Sequence, residues 1–365
     1  MRPEMKATFY AATLVIAIVA LIYLSNKFAG AETMPLTVPP LADAGVWLNS
    51  KPLQPEDLKG KVVLIDIWEF TCVNCQRTLP YLKEWQRKYA DQGLVIVGVH
   101  CPEFEFGKDS ANVARFVKAN GLTWPIVLDN NFKIWTSLYN QYWPRKFIFD
   151  ASGKLAYDHT GEGGYAETEQ KIQELLAQRN GKKIDMPVAG YVREEDKPGT
   201  FCYPQSPETY AGYKRGHLGN VSPAIDRVSS YPTEDSSPTN NTIYIKGDWE
   251  QTDEYLRYAG HGSGDDRLTY RFTGNEVNVV LRGPQETDEH PVDVVVTLDD
   301  QPVPKEWFGQ DVKEKNGKSV LELREPRMYR VLYGAKKHGT HLLKFYPTTA
   351  GFELFAFTFG SCSAL

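Results

Sequence analysis

Basic residues are outnumbered in this chain, 41 Lys and Arg against 46 Asp and Glu in 365 residues, and they gather into no stripe. That excludes a nucleic-acid surface. Cysteine is scarce, five in all, and only Cys72 and Cys75 stand close together. With no second pair and no neighbouring Cys/His set, a zinc site has no support. Gly161-Glu-Gly-Gly164 lacks the strand–GxGxxG–helix context of a dinucleotide site and reads as a turn. No metal and no cofactor are expected. There is no internal repeat, and beyond Val221 no long helical pattern.

Long apolar runs are also missing, with one exception. Ala7 to Leu24 carries no charge and follows Arg2 and Lys6. As a helix it would span roughly 27 Å, close to the hydrocarbon thickness of a bilayer. Ala29-Gly-Ala31 resembles a signal-peptidase site, which leaves two readings, an uncleaved single transmembrane helix or a signal segment cleaved after Ala31. The run is longer than a signal core and Lys27 interrupts the approach to the site, which favours the anchor. Either way the positive charges before it keep the N-terminus inside and export the rest. The expected location is the cell membrane, by a single-pass anchor, with the working domains on the periplasmic, extracytoplasmic side where disulfides form.

Three regions follow: an anchor or signal segment at 1–31, an α/β domain with its proline-rich tether at 32–184, and an all-β domain at 185–365. In the second, strand-like runs Val62–Trp68, Leu94–His100, Pro125–Leu128, Lys146–Phe149 and Lys154–His159 alternate with helix-like runs Thr78–Tyr89, Ala111–Ala119, Phe132–Tyr139 and Ala166–Arg179. Asn180-Gly-Lys-Lys and Arg193-Glu-Glu-Asp-Lys-Pro-Gly form a polar linker. Short runs then alternate at 268–272, 277–281, 292–298, 320–323 and 352–356, separated by turn-rich stretches such as Glu314-Lys-Asn-Gly. That texture predicts a β-sandwich, jelly-roll-like.

The chemistry points to Cys72-Val-Asn-Cys75. An apolar stretch leads into it and an amphipathic helix pattern follows, so Cys72 falls at a strand-to-helix junction. Unpaired N–H groups and the helix dipole there stabilise a thiolate. Two cysteines three apart on a first helical turn can close a small disulfide and reopen it. Asp66 lies six residues before Cys72, Trp68 four before, and Pro80 five after Cys75. With Trp143-Pro144, this set resembles the thioredoxin superfamily, in its TlpA-like/redoxin branch. The resemblance implies a cis proline at Pro144 facing the cysteines. It also implies a substrate-binding side formed by Pro144, Trp143 and Trp68.

The runs His100-Cys-Pro-Glu-Phe-Glu-Phe, Tyr157-Asp-His-Thr-Gly-Glu-Gly-Gly-Tyr165, Ser206-Pro-Glu-Thr-Tyr-Ala-Gly-Tyr213 and Gly247-Asp-Trp249 narrow it further. They look like the exported portion of DipZ-type proteins, in which a carbohydrate-binding-module-like β-sandwich follows the thioredoxin domain. DipZ-type proteins also carry a multi-span electron-conducting domain, and this chain has one span at most. The resemblance therefore implies a separate membrane electron donor, DsbD/CcdA-like, and exported thiol or disulfide proteins as substrates. A glycan at the C-terminal domain is a further possibility, with Trp249, Tyr255, Trp307 and Phe308 as stacking candidates; docking of a protein is favoured over it. Relatives serving cytochrome c biogenesis often have a glutamate at the position of Thr78; its lack leaves that role open but not indicated.

The expected function is an exported, membrane-tethered thiol–disulfide oxidoreductase. Cys72 is the attacking thiolate, Cys75 resolves the mixed disulfide, and Asp66, its pKa raised by burial, handles the proton of Cys75. A redoxin-type thiol peroxidase is an alternative, since Thr71 precedes Cys72, but no proline lies between Asp66 and Thr71 to complete the peroxidase loop. A non-enzymatic envelope binding protein is another. Cys202 and Cys362, near the two ends of the C-terminal domain, are expected to form a structural disulfide. Cys101 then remains as the odd thiol, read as buried in a strand end. His338 and His341 are read as a turn rather than a metal site.

Overall fold

The computed structural model describes residues 36–220, 224–232, 237–284, 291–333 and 338–363. The membrane segment expected within residues 1–31 lies outside them. Among the described residues, no helix is long and apolar enough to cross a membrane.

Seven successive buried residues, Val62–Trp68, form β2, which must be central because a strand apolar on both faces needs cover on both. It lies in a six-stranded sheet with β1 (Trp47–Leu48), β3 (Leu94–His100), β4 (Ile126–Leu128), β5 (Arg145–Phe149) and β6 (Leu155–Thr160), ordered β1-β4-β3-β2-β5-β6. β2, β3 and β4 run parallel, whereas β1, β5 and β6 are antiparallel to their neighbours. Helices α1 (Pro55–Leu58), α2 (Val73–Tyr89), α3 (Ser110–Ala119), α4 (Lys133–Ser137) and α5 (Tyr165–Asn180) connect them. α2 begins five residues before the expected Thr78, because Cys72 caps it; α4 is shorter than expected.

The C-terminal region is an antiparallel sandwich. One sheet contains β12 (Val312–Lys315), β13 (Lys318–Leu323), β11 (Val292–Leu298), β15 (Gly339–Pro347), β9 (Arg267–Gly274) and the first half of β7 (Ile243–Gln251). The other contains the second half of β7, then β8 (Leu256–Tyr258), β16 (Glu353–Gly360), β10 (Glu276–Arg282) and β14 (Arg327–Leu332). β7 changes sheet at Gly247, whose φ of +104° and a carbon placed 2.5 Å from the Asp266 carboxyl would both resist a side chain. Val279, Leu281, Tyr329 and Phe357 point into the sandwich, while Val280, Met328, Phe355 and Ala356 join the core of the first domain. Phe355 meets Phe104 and Phe106 edge-on, at ring distances of 5.1 and 4.9 Å.

Two expectations change here. The polar segment at 193–199 is docked rather than loose: the Tyr81 hydroxyl donates to Asp196 at 2.8 Å and the Tyr333 hydroxyl to Glu195 at 2.9 Å. His341 lies in β15, paired with Phe272, not in a turn, and its Nδ1 faces the Asp299 carboxylate at 2.8 Å.

Candidate active site

β2 ends at Trp68 and four residues turn the chain into α2. Cys72 occupies the N-cap position, its Sγ accepting the Cys75 N–H at 3.3 Å, and Gln76 N–H donates to the Cys72 carbonyl at 3.0 Å. Cys72 is half-buried, whereas Cys75 is 1% exposed; both are free thiols. Burial pushes the Cys75 thiol well above its usual range, with the neighbouring Cys72 and Asp66 adding to it. An accessible thiol on helix N–H groups and a buried thiol one turn behind make an ordered pair, in which the outer thiol can attack and the inner one can resolve.

Asp66 sits under this turn on β2, 1% exposed. Burial raises its carboxyl to about 6, and Lys146 opposes the rise. Lys146 pairs with Asp66 across β2 and β5, is itself fully buried, and is held below its usual range by that burial. A carboxyl titrating near 6 can accept a thiol proton and return it. Lys146 has no forerunner in the sequence reading. Its neighbours Phe147, Ile148 and Phe149 make it look like a strand edge, and only the register places it opposite Asp66.

The Trp143–Pro144 bond is cis. Trp143 is partly buried, its Nε1–H donating to the Cys101 carbonyl at 3.1 Å and its ring lying 4.4 Å from that of Trp135. Trp68 does not belong to a substrate-binding surface. It is 2% exposed, packed edge-on against His100 and at a tilt against Phe116, because β2 points it into the core between α3 and the sheet.

Two family models match, Redoxin over residues 33–176 and the Thioredoxin like C-terminal domain over 206–360. ResA, a thiol-disulfide oxidoreductase of Bacillus cereus, is 30% identical over 128 residues, 35% of this chain and 71% of that one. The chain belongs to the thioredoxin-like thiol–disulfide oxidoreductases. Protein DipZ of Mycobacterium tuberculosis is 34% identical over 268 residues, 71% of this chain, but the match spans only 37% of DipZ's length. A thioredoxin-like protein solved in its oxidised form is 30% identical, covering 40% of this chain and 99% of that one, with a TM-score of 0.36.

In this oxidoreductase the second domain reaches the active-site helix. Arg77, two residues after Cys75, bridges Glu162 at 3.2 Å and Glu276 of β10 at 2.7 Å. Glu103 accepts from the Tyr210 hydroxyl at 2.9 Å and from Arg215 at 2.7 Å, and its burial beside Glu208 raises its carboxyl to about 7. Neither contact was legible beforehand, since partners over a hundred residues apart leave no local pattern. The sequence reading also passed over Glu69 and Asp129, both buried, which stand beside His100 and Cys101 respectively. Cys101 is buried, its thiol 3.8 Å from Asp129 and pushed up by burial.

Cys202 and Cys362 are disulfide-bonded, on two short paired strands. Thr78 is fully buried, its hydroxyl donating to the Cys75 carbonyl at 2.9 Å. The four aromatic candidates for glycan stacking do not form a platform. Trp249 is wholly buried in the sandwich and Tyr255 packs on Phe355 beneath Arg282, while Trp307 and Phe308 lean on the sandwich core. No group of three or more metal-ligating side chains is found among the described residues.

Proposed function

We propose that the chain is an exported, membrane-tethered thiol–disulfide oxidoreductase that reduces or exchanges disulfides in exported proteins through Cys72 and Cys75. The observation that carries the reading is the stack of an accessible N-cap thiol, a buried thiol and a buried carboxyl titrating near 6 beneath them. The Cys72 thiolate attacks a substrate disulfide, forming a mixed disulfide and expelling one substrate thiolate. Cys75 gives its proton to Asp66 and attacks the Cys72 sulfur. The second substrate thiol leaves, and the enzyme holds a Cys72–Cys75 disulfide, oxidised by the two electrons the substrate gained. Restoring the dithiol requires an external dithiol, for which a separate DsbD/CcdA-like membrane donor is the partner we propose. The uncharged run at 7–24 supports tethering and export.

The peroxidase alternative fares worse, since the Thr71 hydroxyl is turned inward onto Glu69 and is buried. The test is the Cys72–Cys75 equilibrium of the full chain in detergent against glutathione buffers. A potential near −270 mV, the thioredoxin value, means a reductant, and one near −120 mV means a disulfide donor. A chain that forms no reversible Cys72–Cys75 disulfide refutes the proposal.

A further inference from the structure

The cycle above leaves the Cys75 proton on Asp66, which is buried, and the next turnover needs that carboxylate emptied again. On the β3 side Asp66 stands opposite Gly98, which has no side chain. On the β5 side it stands opposite Lys146, and Lys146 in turn is opposite His159 of β6. Residues directly opposite in antiparallel strands share a face, with their β-carbons about 5 Å apart. Asp66, Lys146 and His159 therefore form a row of three ionisable side chains, running from the central strand to β6 at the edge of the sheet. Lys146 is as buried as Asp66, whereas His159 is half-buried. Among the described residues, neither Asp66 Oδ1 nor Lys146 Nζ has a hydrogen-bond partner.

We propose that this row is a proton path, in which Lys146 and His159 carry the proton of Cys75 from Asp66 to solvent. This rests on the oxidoreductase reading above. Both are positioning residues, acting through Asp66 rather than on the sulfurs. With the Cys75 proton on the Asp66 carboxylate, the Lys146 ammonium gives one of its own protons to the His159 imidazole. The amine then takes the proton from Asp66, and the imidazolium releases its extra proton to water. One proton enters at Asp66 and one leaves at His159, so the row returns to its starting charge. Burial holds Lys146 below its usual range, which makes an ammonium there readier to give up a proton. The other ionisable groups facing Lys146 are Cys72 and Cys75 of α2 and Glu162 after β6. The Glu162 carboxylate is engaged by Arg77 at 3.2 Å and by Arg193 at 3.4 Å, which leaves the imidazole as the acceptor. His159 Nε2 faces the Glu162 main-chain carbonyl at 3.3 Å. A carbonyl can only accept, so that nitrogen carries the hydrogen and Nδ1 is open to a proton. Gly164 makes room for the ring, because a β-carbon there would fall 2.5 Å from its Cε1.

The test is a single turnover of the reduced full chain in detergent with glutathione disulfide, quenched with acid to follow the mixed disulfide on Cys72 as it resolves. It is run in dilute buffer with and without added imidazole. His159→Ala should slow resolution by on the order of 100-fold, the lower end of what a placed proton-transfer group supplies. Added imidazole should restore that rate, because a base in solution takes over from the missing ring, and should leave the wild type unchanged. Lys146→Met keeps the length of the side chain and removes the amine. It should slow resolution similarly and without rescue, since imidazole cannot reach the buried Asp66. His159→Ala, at a half-buried edge position, decides the matter where Lys146→Met does not fold. Resolution at the wild-type rate in either folded variant, a His159→Ala defect that imidazole does not repair, or a wild type equally accelerated by imidazole overturns the inference alone. A wild type that forms no Cys72–Cys75 disulfide overturns the oxidoreductase reading instead.

Discussion

Asp66→Asn should make the protein more stable at neutral pH while impairing its chemistry. The Asp66 carboxyl titrates at about 6 in the folded chain against 3.8 ordinarily. A raised carboxylate value means that the folded state favours the proton. Stability from this group is therefore fully present below about pH 4 and is lost as pH rises through about 6. Above that, holding the charge in the core costs roughly two pKa units, about 3 kcal/mol. Asparagine keeps the shape and removes the charge. Some of the gain is offset because Lys146, buried opposite, loses its counter-charge, so the net expectation is about 1–3 kcal/mol at pH 7 to 8. Guanidinium midpoints of wild type and variant, both oxidised, measured by tryptophan fluorescence from pH 4 to 8, give the difference directly. The gap should be small at pH 4 and open through pH 6. A variant less stable than wild type at pH 8, or a gap that ignores pH, refutes the account of Asp66. The same variant should slow resolution of the mixed disulfide.

Other expectations concern the domain junction and the cysteines. Arg77→Ala removes the arginine partner of the mostly buried Glu276 and leaves the partly exposed Glu162 with Arg193, and should cost up to about 3 kcal/mol in the denaturant midpoint. Phe355→Ala empties the aromatic contact with Phe104 and Phe106; a loss of about 3–5 kcal/mol, with faster protease cleavage near residues 185–200, is expected. The Cys202–Cys362 bond closes a loop of 160 residues, so its replacement by two serines should cost up to about 5 kcal/mol by denaturant titration under oxidising conditions. Cys75→Ser should accumulate mixed disulfides through Cys72, visible as adducts on non-reducing gels, whereas Cys72→Ser should not.

Local pattern determined a good deal of this molecule. Val62–Trp68 and Leu94–His100 coincide with β2 and β3, because largely apolar runs, interrupted in β2 only by Asp66, favour a buried strand. The Cys72–Cys75 spacing at a strand-to-helix junction sufficed to locate the dithiol, since the helix start is itself a local feature. Long-range register was decided only by the tertiary structure. β7 hides in the sequence because Gly247 and Asp248 break its alternation where it passes from one sheet to the other. Trp68 belongs to the motif but packs in the core, because α3 covers the face of β2 that carries it. Lys146 opposite Asp66, Arg77 between Glu162 and Glu276, and Glu69 against His100 are pairs of ionisable groups buried by packing. Their positions in the chain carry no sign of it, because the cost of burying a charge is settled by neighbours distant in sequence.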